Sequence, residues 1–421
     1  MGFVERSIEA TFEVVTPMFL GDAEQGASRI RESSIKGALA FWWRALHFPE
    51  FLADVEPGTH QRRSAFAALR DREQHLFGGP ERQGLFLLRV ISQPKSKSAG
   101  ESVRDRPGAV YLGYGCINVK GADLPKIGRD YFEAGTLFTL QLLFRPTANE
   151  EDLAEIVQVL RAFGLIGGLG SRVRRGYGSV ALVSLKTKGL TADLGFETRP
   201  ETRQAYIDDL TALVRSQRSL DVQGSALDVT CFARETECRI LETKGQGPFD
   251  ALDEIGQSLQ LYRLWGRDGK INGKPREENF RADHDWFKAG TGRGNRDYAG
   301  VAEERLPERA AFGLPHNYYS RDGGPKGKGF SITVGAGHES TADRRASPLF
   351  IHIHKLTAGK HLVCLLHFPT RFLPPKNEQT TVSLIKVVRQ TKDYVYDAAV
   401  VSRFLERFPG SEVDLLGRGK P

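Results

Sequence analysis

The clearest helix of the chain is predicted by the stretch Glu150-Glu-Asp-Leu-Ala-Glu-Ile-Val-Gln-Val-Leu-Arg-Ala-Phe163. Its three leading acids lie at the positive end of the helix dipole, and Arg161 lies near the negative end. Leu153, Ile156, Val157, Leu160 and Phe163 recur at helical spacing, so they form one apolar face that must pack against a core. The elements on either side of this helix decide the fold.

Alternating apolar residues predict strands around it, at residues 7–15, 85–91, 110–117, 137–144 and 179–185. A second helix is predicted at 35–47, after Ser33 and Ser34, which are good N-cap residues. The order strand, helix, strands, helix, strand is the βαββαβ pattern of a ferredoxin-like domain, which RNA-recognition domains share.

The second half of the chain repeats this pattern more loosely. We predict helices at 201–219, 249–265 and 400–408, a strand at 238–242 and a hairpin of 349–356 with 361–368. The fold class is therefore α+β with two ferredoxin-like domains. The predicted organisation is an N-terminal domain at 1–190, a connecting helix within 191–225 and a second domain at 226–421, with a polar insertion around 266–346.

A glycine–arginine loop follows the first-quoted helix, with the sequence Gly164-Leu-Ile-Gly-Gly-Leu-Gly-Ser-Arg-Val-Arg-Arg-Gly-Tyr-Gly178. It has six glycines, three arginines and no acid. Glycine lets the backbone approach a ligand closely, and arginine offers a planar fork to phosphate. A flexible turn is the alternative interpretation. The predicted RNA-binding residues here are Arg172, Arg174, Arg175 and Tyr177, and the glycines expected to approach phosphate are Gly168, Gly170 and Gly176.

The predicted helix at 35–47 carries two adjacent tryptophans. Trp42 lies on the apolar stripe and is expected in the core. Trp43 is rotated by about 100° from it and shares a face with Lys36 and Arg44. That face suits base stacking and phosphate contact, and the alternative is that Trp43 packs under a neighbouring domain. We therefore predict Lys36, Trp43 and Arg44 as RNA-binding residues.

Composition restricts the class of protein. The chain has 421 residues and a net charge of +7, which favours a polyanionic partner without proving one. No apolar run approaches the ~18 residues that a membrane span needs, and Glu5, Arg6 and Glu9 stand where a signal peptide would be apolar. The four cysteines have no C-x-x-C spacing. We expect a cytoplasmic protein with no membrane partner, no metal and no cofactor.

Candidate catalytic residues are few. His352, His354, His361 and His367 lie on the predicted hairpin and are expected to face solvent. No Ser-His-Asp or Cys-His arrangement stands out, so the residues predict a protein without a catalytic site.

Several motifs together resemble the RAMP superfamily of CRISPR effector subunits. They are Thr16-Pro-Met-Phe-Leu-Gly21, Ser33-Ser-Ile-Lys-Gly-Ala-Leu-Ala-Phe-Trp-Trp-Arg-Ala-Leu46, Leu76-Phe-Gly78 and Arg174-Arg-Gly-Tyr-Gly-Ser-Val180. The tryptophan helix resembles one branch, the first-numbered subunit family of the type III-B Cmr complex. Phe312-Gly-Leu-Pro315 and Arg344-Arg-Ala-Ser-Pro-Leu349 resemble it too, whereas Asp22 stands where a second glycine is expected.

The resemblance implies a non-catalytic subunit that caps the 3′-end side of a crRNA-guided complex in antiviral defence. Its partners would be crRNA, target RNA paired to it, and other Cmr or RAMP subunits. Two alternatives remain. One is a metal-independent RAMP endoribonuclease that uses His47, His60 or His75 as general acid or base, and the other is a scaffold that binds only protein.

Overall fold

The computed structural model describes residues 6–21, 26, 29–52, 60–119, 125–189, 199–216, 229–266, 268–285, 307–320, 328–334, 344–369, 379–384, 389–393 and 397–417. Its strands are β1 (Ser7–Val14), β2 (Phe86–Ser92), β3 (Ser96–Lys97), β4 (Ile117–Asn118), β5 (Lys126–Ile127), β6 (Tyr131–Phe132), β7 (Leu137–Phe144), β8 (Val180–Lys188), β9 (Glu237–Glu242), β10 (Lys270–Ile271), β11 (Lys274–Pro275), β12 (His316–Ser320), β13 (Lys328–Val334), β14 (Leu349–Lys355), β15 (His361–His367), β16 (Gln379–Leu384) and β17 (Arg389–Asp393). Its helices are α1 (Glu32–Leu52), α2 (His60–Phe77), α3 (Pro107–Leu112), α4 (Glu150–Ile166), α5 (Arg203–Arg215), α6 (Pro248–Arg263) and α7 (Ala399–Leu405), with a 3₁₀ helix at Glu308–Phe312.

The first half is built on a four-stranded sheet in the order β2-β7-β1-β8, with antiparallel neighbours throughout. Its strands and the helices α1 and α4 follow the predicted strand–helix–strand–strand–helix–strand order. Alternate side chains such as Phe12 and Phe138 stack in the core. A capping box between Asn149 and Asp152 begins α4, as the acidic start of that helix suggests.

The second half contains a three-stranded antiparallel sheet in the order β14-β15-β9. Beside β9, where a fourth strand would pair, a single β-bridge joins Arg239 to Glu412. A separate four-stranded sheet has the order β12-β13-β16-β17. The fold is thus mixed α/β with several antiparallel sheets, and the second sheet is shorter than the predicted complete βαββαβ unit.

Three local predictions differ from the structure. The strand expected at 110–117 is wrong, because Pro107 begins the short helix α3, whose Ala109 and Leu112 are buried. Helix α2 was not predicted, because its mean hydropathy is low. Helix α1 begins at Glu32 and continues through Pro49, so Ser33 and Ser34 lie inside it and do not cap it.

Two apolar clusters lie on opposite faces of the second sheet. One contains Ile240 and Cys364 together with the first sheet, and the other contains Ile351 and Val363 together with α3 and α6. Each cluster draws side chains from both halves of the chain, so the halves share their cores.

Because apolar clusters cover both faces of the second sheet, the prediction for the hairpin histidines has to be corrected. His352, His354, His361 and His367 are all buried, so the expectation that they face solvent is wrong. His352 Nδ1 donates to the Gly167 carbonyl oxygen over 2.9 Å, and burial lowers the pKa of its imidazole to about 3.

None of the helices in the described ranges is long and apolar enough to cross a membrane. Cys116, Cys231, Cys238 and Cys364 are buried as free thiols.

Candidate nucleic-acid interface

The glycine–arginine loop runs between the two halves of the protein. It leaves α4 at Gly167 and enters β8 at Val180. The Ser171 amide donates to the Phe19 carbonyl over 2.8 Å, and the Ile351 amide donates to the Arg174 carbonyl over 3.1 Å. The loop is therefore held by backbone hydrogen bonds on both sides, which argues against the flexible turn.

The three arginines of the loop do not converge on one site. The Arg174 guanidinium donates to the Ser347 carbonyl oxygen over 2.7 Å and lies 4.2 Å from the centre of the Phe350 ring. Burial, with a smaller contribution from the charge of Arg345, lowers its pKa to about 10. Arg174 therefore fastens the loop to the second half, and its prediction as a phosphate ligand is wrong.

Arg175 also turns towards the protein. Its guanidinium lies 6.0 Å from the centre of the Tyr111 ring, and its charge helps lower the pKa of buried His316. Its backbone forms a bridge with Ile351. Its side chain remains partly exposed, so a contact with RNA stays a prediction.

Arg172 is the loop arginine that faces a surface turn. It has φ +65°, a left-handed backbone conformation. A Cβ built on Gly115 would lie 3.2 Å from Arg172 Nη2. Arg129 reaches the same turn, because its Nη2 donates to the Gly115 carbonyl oxygen over 3.2 Å. Tyr114 stands beside them with 65% of its surface exposed.

We call Tyr114, Arg129 and Arg172 the tyrosine–arginine surface. Burial raises the pKa of the neighbouring Cys116 thiol, and the charges of Arg129 and Arg172 oppose that rise, so both cations act at one place. Neither arginine forms an ion pair with a carboxylate in the part of the chain that the structure describes. An exposed aromatic ring next in sequence to a turn that two guanidinium groups approach can stack a base, while the guanidinium groups contact phosphates.

The glycines of the loop make room for the protein's own backbone. A Cβ on Gly168 would lie 2.5 Å from the Gly178 carbonyl oxygen, and one on Gly170 would lie 2.4 Å from the Phe19 carbonyl oxygen. Gly176 has φ +84° and faces Leu252 at 2.9 Å. These glycines are therefore explained by the packing of the protein's own backbone, and their approach to phosphate stays a prediction.

Two aromatic candidates also belong to the core. Tyr177 is fully buried, and its hydroxyl donates to the Ala109 carbonyl oxygen over 2.9 Å. Trp43 is fully buried, and its Nε1 donates to Glu155 Oε2 over 2.8 Å. Helices α2 and α4 pack on the face of α1 that carries Trp43. Because both rings are buried, the predicted stacking roles of Trp43 and Tyr177 are wrong. Trp42 is buried, as predicted.

The two cations on α1 have different surroundings. Arg44 forms a hydrogen-bonded ion pair with Glu73, which neutralises it locally. Lys36 has no such carboxylate partner within the described ranges, and its ammonium lies 5.7 Å from the centre of the Phe86 ring.

The histidines of the endoribonuclease alternative are engaged in the fold. His47 is buried, stacks on Trp43 at 5.3 Å between ring centres and approaches Glu50. His75 Nδ1 accepts from Arg82 over 2.8 Å, and its Nε2 lies 3.6 Å from Asp152. The side chain of His60 lies outside the described residues.

Sequence reasoning missed Tyr114 and Arg129. The apolar residues around 110–117 suggested a strand there, which would have spread this segment along a sheet. The dipeptides Gly113-Tyr and Gly115-Cys carry a turn signal that could have revealed an exposed ring. Arg129 could not be predicted, because no local sequence pattern indicates which turn its side chain contacts.

Comparison with known proteins shows what the chain is similar to. The RAMP superfamily profile matches residues 11–181. The CRISPR system Cmr subunit Cmr1-1 of Pyrococcus furiosus is 27% identical over 202 residues, which are 48% of this chain and 52% of that protein. The chain therefore aligns with about half the length of this curated relative.

Two solved structures share the fold. The apo crystal structure of Cmr1 from Pyrococcus furiosus has a TM-score of 0.52 at 17% identity and covers 96% of this chain and 97% of that one. A chain of the cryo-EM structure of the Type III-B Cmr-beta bound to cognate target RNA has a TM-score of 0.50 at 10% identity, covering 96% of this chain and 99% of that one. Residues 11–181 thus match the RAMP superfamily, and the chain is similar in sequence and in fold to Cmr1 subunits of Pyrococcus furiosus.

Proposed function

We propose that the chain is a non-catalytic, RNA-binding subunit of a type III-B CRISPR effector complex, with crRNA, target RNA and other Cmr or RAMP subunits as partners. The similarity to Cmr1-1 and the shared fold with a chain of a target-bound Cmr-beta structure support this assignment. The finer proposal, that it caps the 3′-end side of the crRNA and engages paired target RNA, rests on the family resemblance.

The tyrosine–arginine surface is the observation that carries the RNA-binding proposal. Tyr114 offers an exposed ring to a base, and Arg129 and Arg172 offer charges that no carboxylate in the described ranges neutralises. Phosphate contacts of this kind give affinity without reading base edges, so we propose binding with little base preference.

The positions of the histidines support the non-catalytic part of the proposal. A general acid or base must reach the proton that it moves, at about 3 Å or through one water. His47 is buried among side chains, and both ring nitrogens of His75 face protein groups, namely Arg82 and Asp152. The buried His47 imidazole therefore presents no nitrogen to a phosphodiester on the surface, and both nitrogens of His75 already have protein neighbours.

One assay separates the proposed function from the alternatives. The full chain is incubated with fluorescently labelled single-stranded RNA at two salt concentrations and with a metal chelator, and both anisotropy and RNA length are measured. We expect binding that weakens at the higher salt, with RNA of unchanged length. Shortened RNA in the presence of chelator would favour the endoribonuclease. Absence of binding, by the free chain and by the assembled complex, would favour the protein-only scaffold.

The matched variants are Tyr114→Ala and Arg70→Gln. Loss of the Tyr114 ring should weaken RNA binding by about 1–3 kcal/mol if a base stacks on it. Arg70 is exposed on α2, away from the tyrosine–arginine surface, and its change should leave binding nearly unaltered. Equal effects of the two changes would mean that the binding surface lies elsewhere.

A further inference from the structure

A second basic site lies at the far end of the first sheet. An open cavity of about 670 Å³ is formed there by α1, by the turn between α2 and β2, and by the facing ends of β2 and β7. Its lining combines cations with aromatic rings, namely Lys36, Arg82, Arg145, Phe77, Phe86 and Phe144. We call it the Lys36 pocket.

The charge of this lining is one-sided. It contains three cations and no carboxylate. Lys36 is partly buried, and within the described ranges no carboxylate pairs with its ammonium. Burial lowers the pKa of this ammonium, as expected where a cation loses water without gaining a counterion. The lining of the pocket therefore carries a net positive charge.

Two of the cations are held by hydrogen bonds, Arg82 to helix α2 and Arg145 to the turn between α2 and β2. Arg82 Nη1 donates to Asp71 over 3.0 Å. Arg145 Nε donates to the Gly84 carbonyl oxygen over 3.0 Å, and its Nη2 donates to Gln83. A guanidinium that is already ordered loses less side-chain entropy when it binds an oxyanion. Asp71 neutralises part of the charge of Arg82, which leaves Lys36 and Arg145 as the main uncompensated charges.

The Lys36 pocket is separate from the tyrosine–arginine surface. Leu143, which lines the pocket, pairs with Ser7 at the start of β1. The glycine–arginine loop leads into Val180, which pairs with Val14 at the other end of β1. Seven steps along an antiparallel strand correspond to roughly 23 Å. One nucleotide cannot contact both sites.

We propose that the Lys36 pocket binds the phosphate of a nucleotide, held by Lys36 and Arg145. Guanidinium and ammonium groups suit a phosphate. The volume lies within the range of sites for small molecules. The same chemistry is offered by a free mononucleotide and by one nucleotide unit of an RNA strand.

The test uses the reactivity of Lys36 in the full chain. Because the pKa of its ammonium is lowered, a larger fraction of Lys36 is present as the free amine, which is the form that an acylating reagent attacks. Peptide mass spectrometry measures the rate of acylation. The probes are inorganic phosphate, uridine monophosphate, a short single-stranded RNA and polyglutamate. Exposed Lys186 on β8 is the internal reference.

We expect saturating nucleotide to slow acylation of Lys36 by about tenfold or more relative to Lys186. In Arg145→Gln the concentration needed for half-protection should rise about tenfold, which is 1.4 kcal/mol and within the range for a hydrogen bond to a charged group. Arg89→Gln is the control, since Arg89 is exposed on β2 and does not line the pocket. Melting temperatures of both variants establish that they are folded.

The outcomes are distinct. Protection by uridine monophosphate would mean that a free nucleotide is a sufficient ligand. Protection by RNA without protection by uridine monophosphate would mean that the pocket binds one nucleotide unit of an RNA strand. Protection by polyglutamate as strong as that by nucleotide would overturn the proposal. Absence of protection by every probe would also overturn it. The inference does not rest on the proposed function, because uridine monophosphate should still protect Lys36 in a Tyr114→Ala chain whose RNA binding is weakened.

Discussion

Replacing Trp43 tests the packing that overturned its predicted role. Trp43 is fully buried and donates to Glu155 over 2.8 Å. Burying an aromatic side chain removes about 150–250 Å² from water, which at about 25 cal/mol per Å² corresponds to about 4–6 kcal/mol as an upper bound. Measured truncations of buried aromatic residues cost about 3–5 kcal/mol, so we expect Trp43→Ala to lower the free energy of unfolding by that amount.

A second variant separates the hydrogen bond from the volume. Trp43→Phe keeps most of the apolar contact and removes the donor to Glu155, whose other oxygen still accepts from Arg72 over 2.6 Å. Its cost should be about 1–3 kcal/mol. Thermal melts give the stability of both variants, and RNA anisotropy below the melting temperature gives their binding. A Trp43→Ala chain that melts like the parent and binds RNA weakly would refute the packing argument and restore the stacking role.

Further predictions concern the loop and the buried hairpin. Arg174→Ala should cost about 2 kcal/mol, because it removes a charged donor from a backbone carbonyl, whereas Arg172→Ala should leave the melting temperature unchanged and weaken RNA binding. Gly178→Ala should lower the melting temperature far more than Gly359→Ala. Both have positive φ, but the added Cβ would lie 2.0 Å from a carbonyl oxygen at Gly178 and would meet nothing within 4 Å at Gly359. The folded-state pKa of His352, about 3, lies below that of the unfolded chain, so its contribution is complete above about pH 6.5 and is lost as pH falls towards 3, by at most about 1.4 kcal/mol per pH unit. Melting temperatures measured from pH 7 to pH 5 should therefore fall, and the fall should be smaller in His352→Gln.

Local periodicity was enough to predict most elements of the first sheet. The strand at 137–144 was found with the same bounds, because its side chains alternate between a covered and an open face. Helix α4 was predicted from its acidic start and apolar stripe, and it continues only three residues further. These elements are determined by neighbours in sequence, which a single chain reveals.

The errors arose where distant segments decide the environment. Trp43 lies off the apolar stripe, and only the packing of α2 and α4 on both sides of α1 buries it. Arg174 looked like a phosphate ligand because no acid is near it in sequence. Its partners are a carbonyl and a ring 173 and 176 residues further along the chain, at Ser347 and Phe350. A cation without an acidic neighbour can therefore be satisfied by the fold, and sequence alone does not distinguish the two cases.

The salt dependence of RNA binding tests the central claim most directly. Each phosphate contact to a single strand contributes about 0.7 to the slope of log affinity against log salt. The variant Arg129→Gln/Arg172→Gln should therefore lower the magnitude of that slope by about 1.4, whereas Arg70→Gln/Lys186→Gln, which removes two exposed cations elsewhere, should leave it unchanged. Equal slopes for the parent chain and the Arg129→Gln/Arg172→Gln variant would contradict the account, because the tyrosine–arginine surface would then make no phosphate contacts.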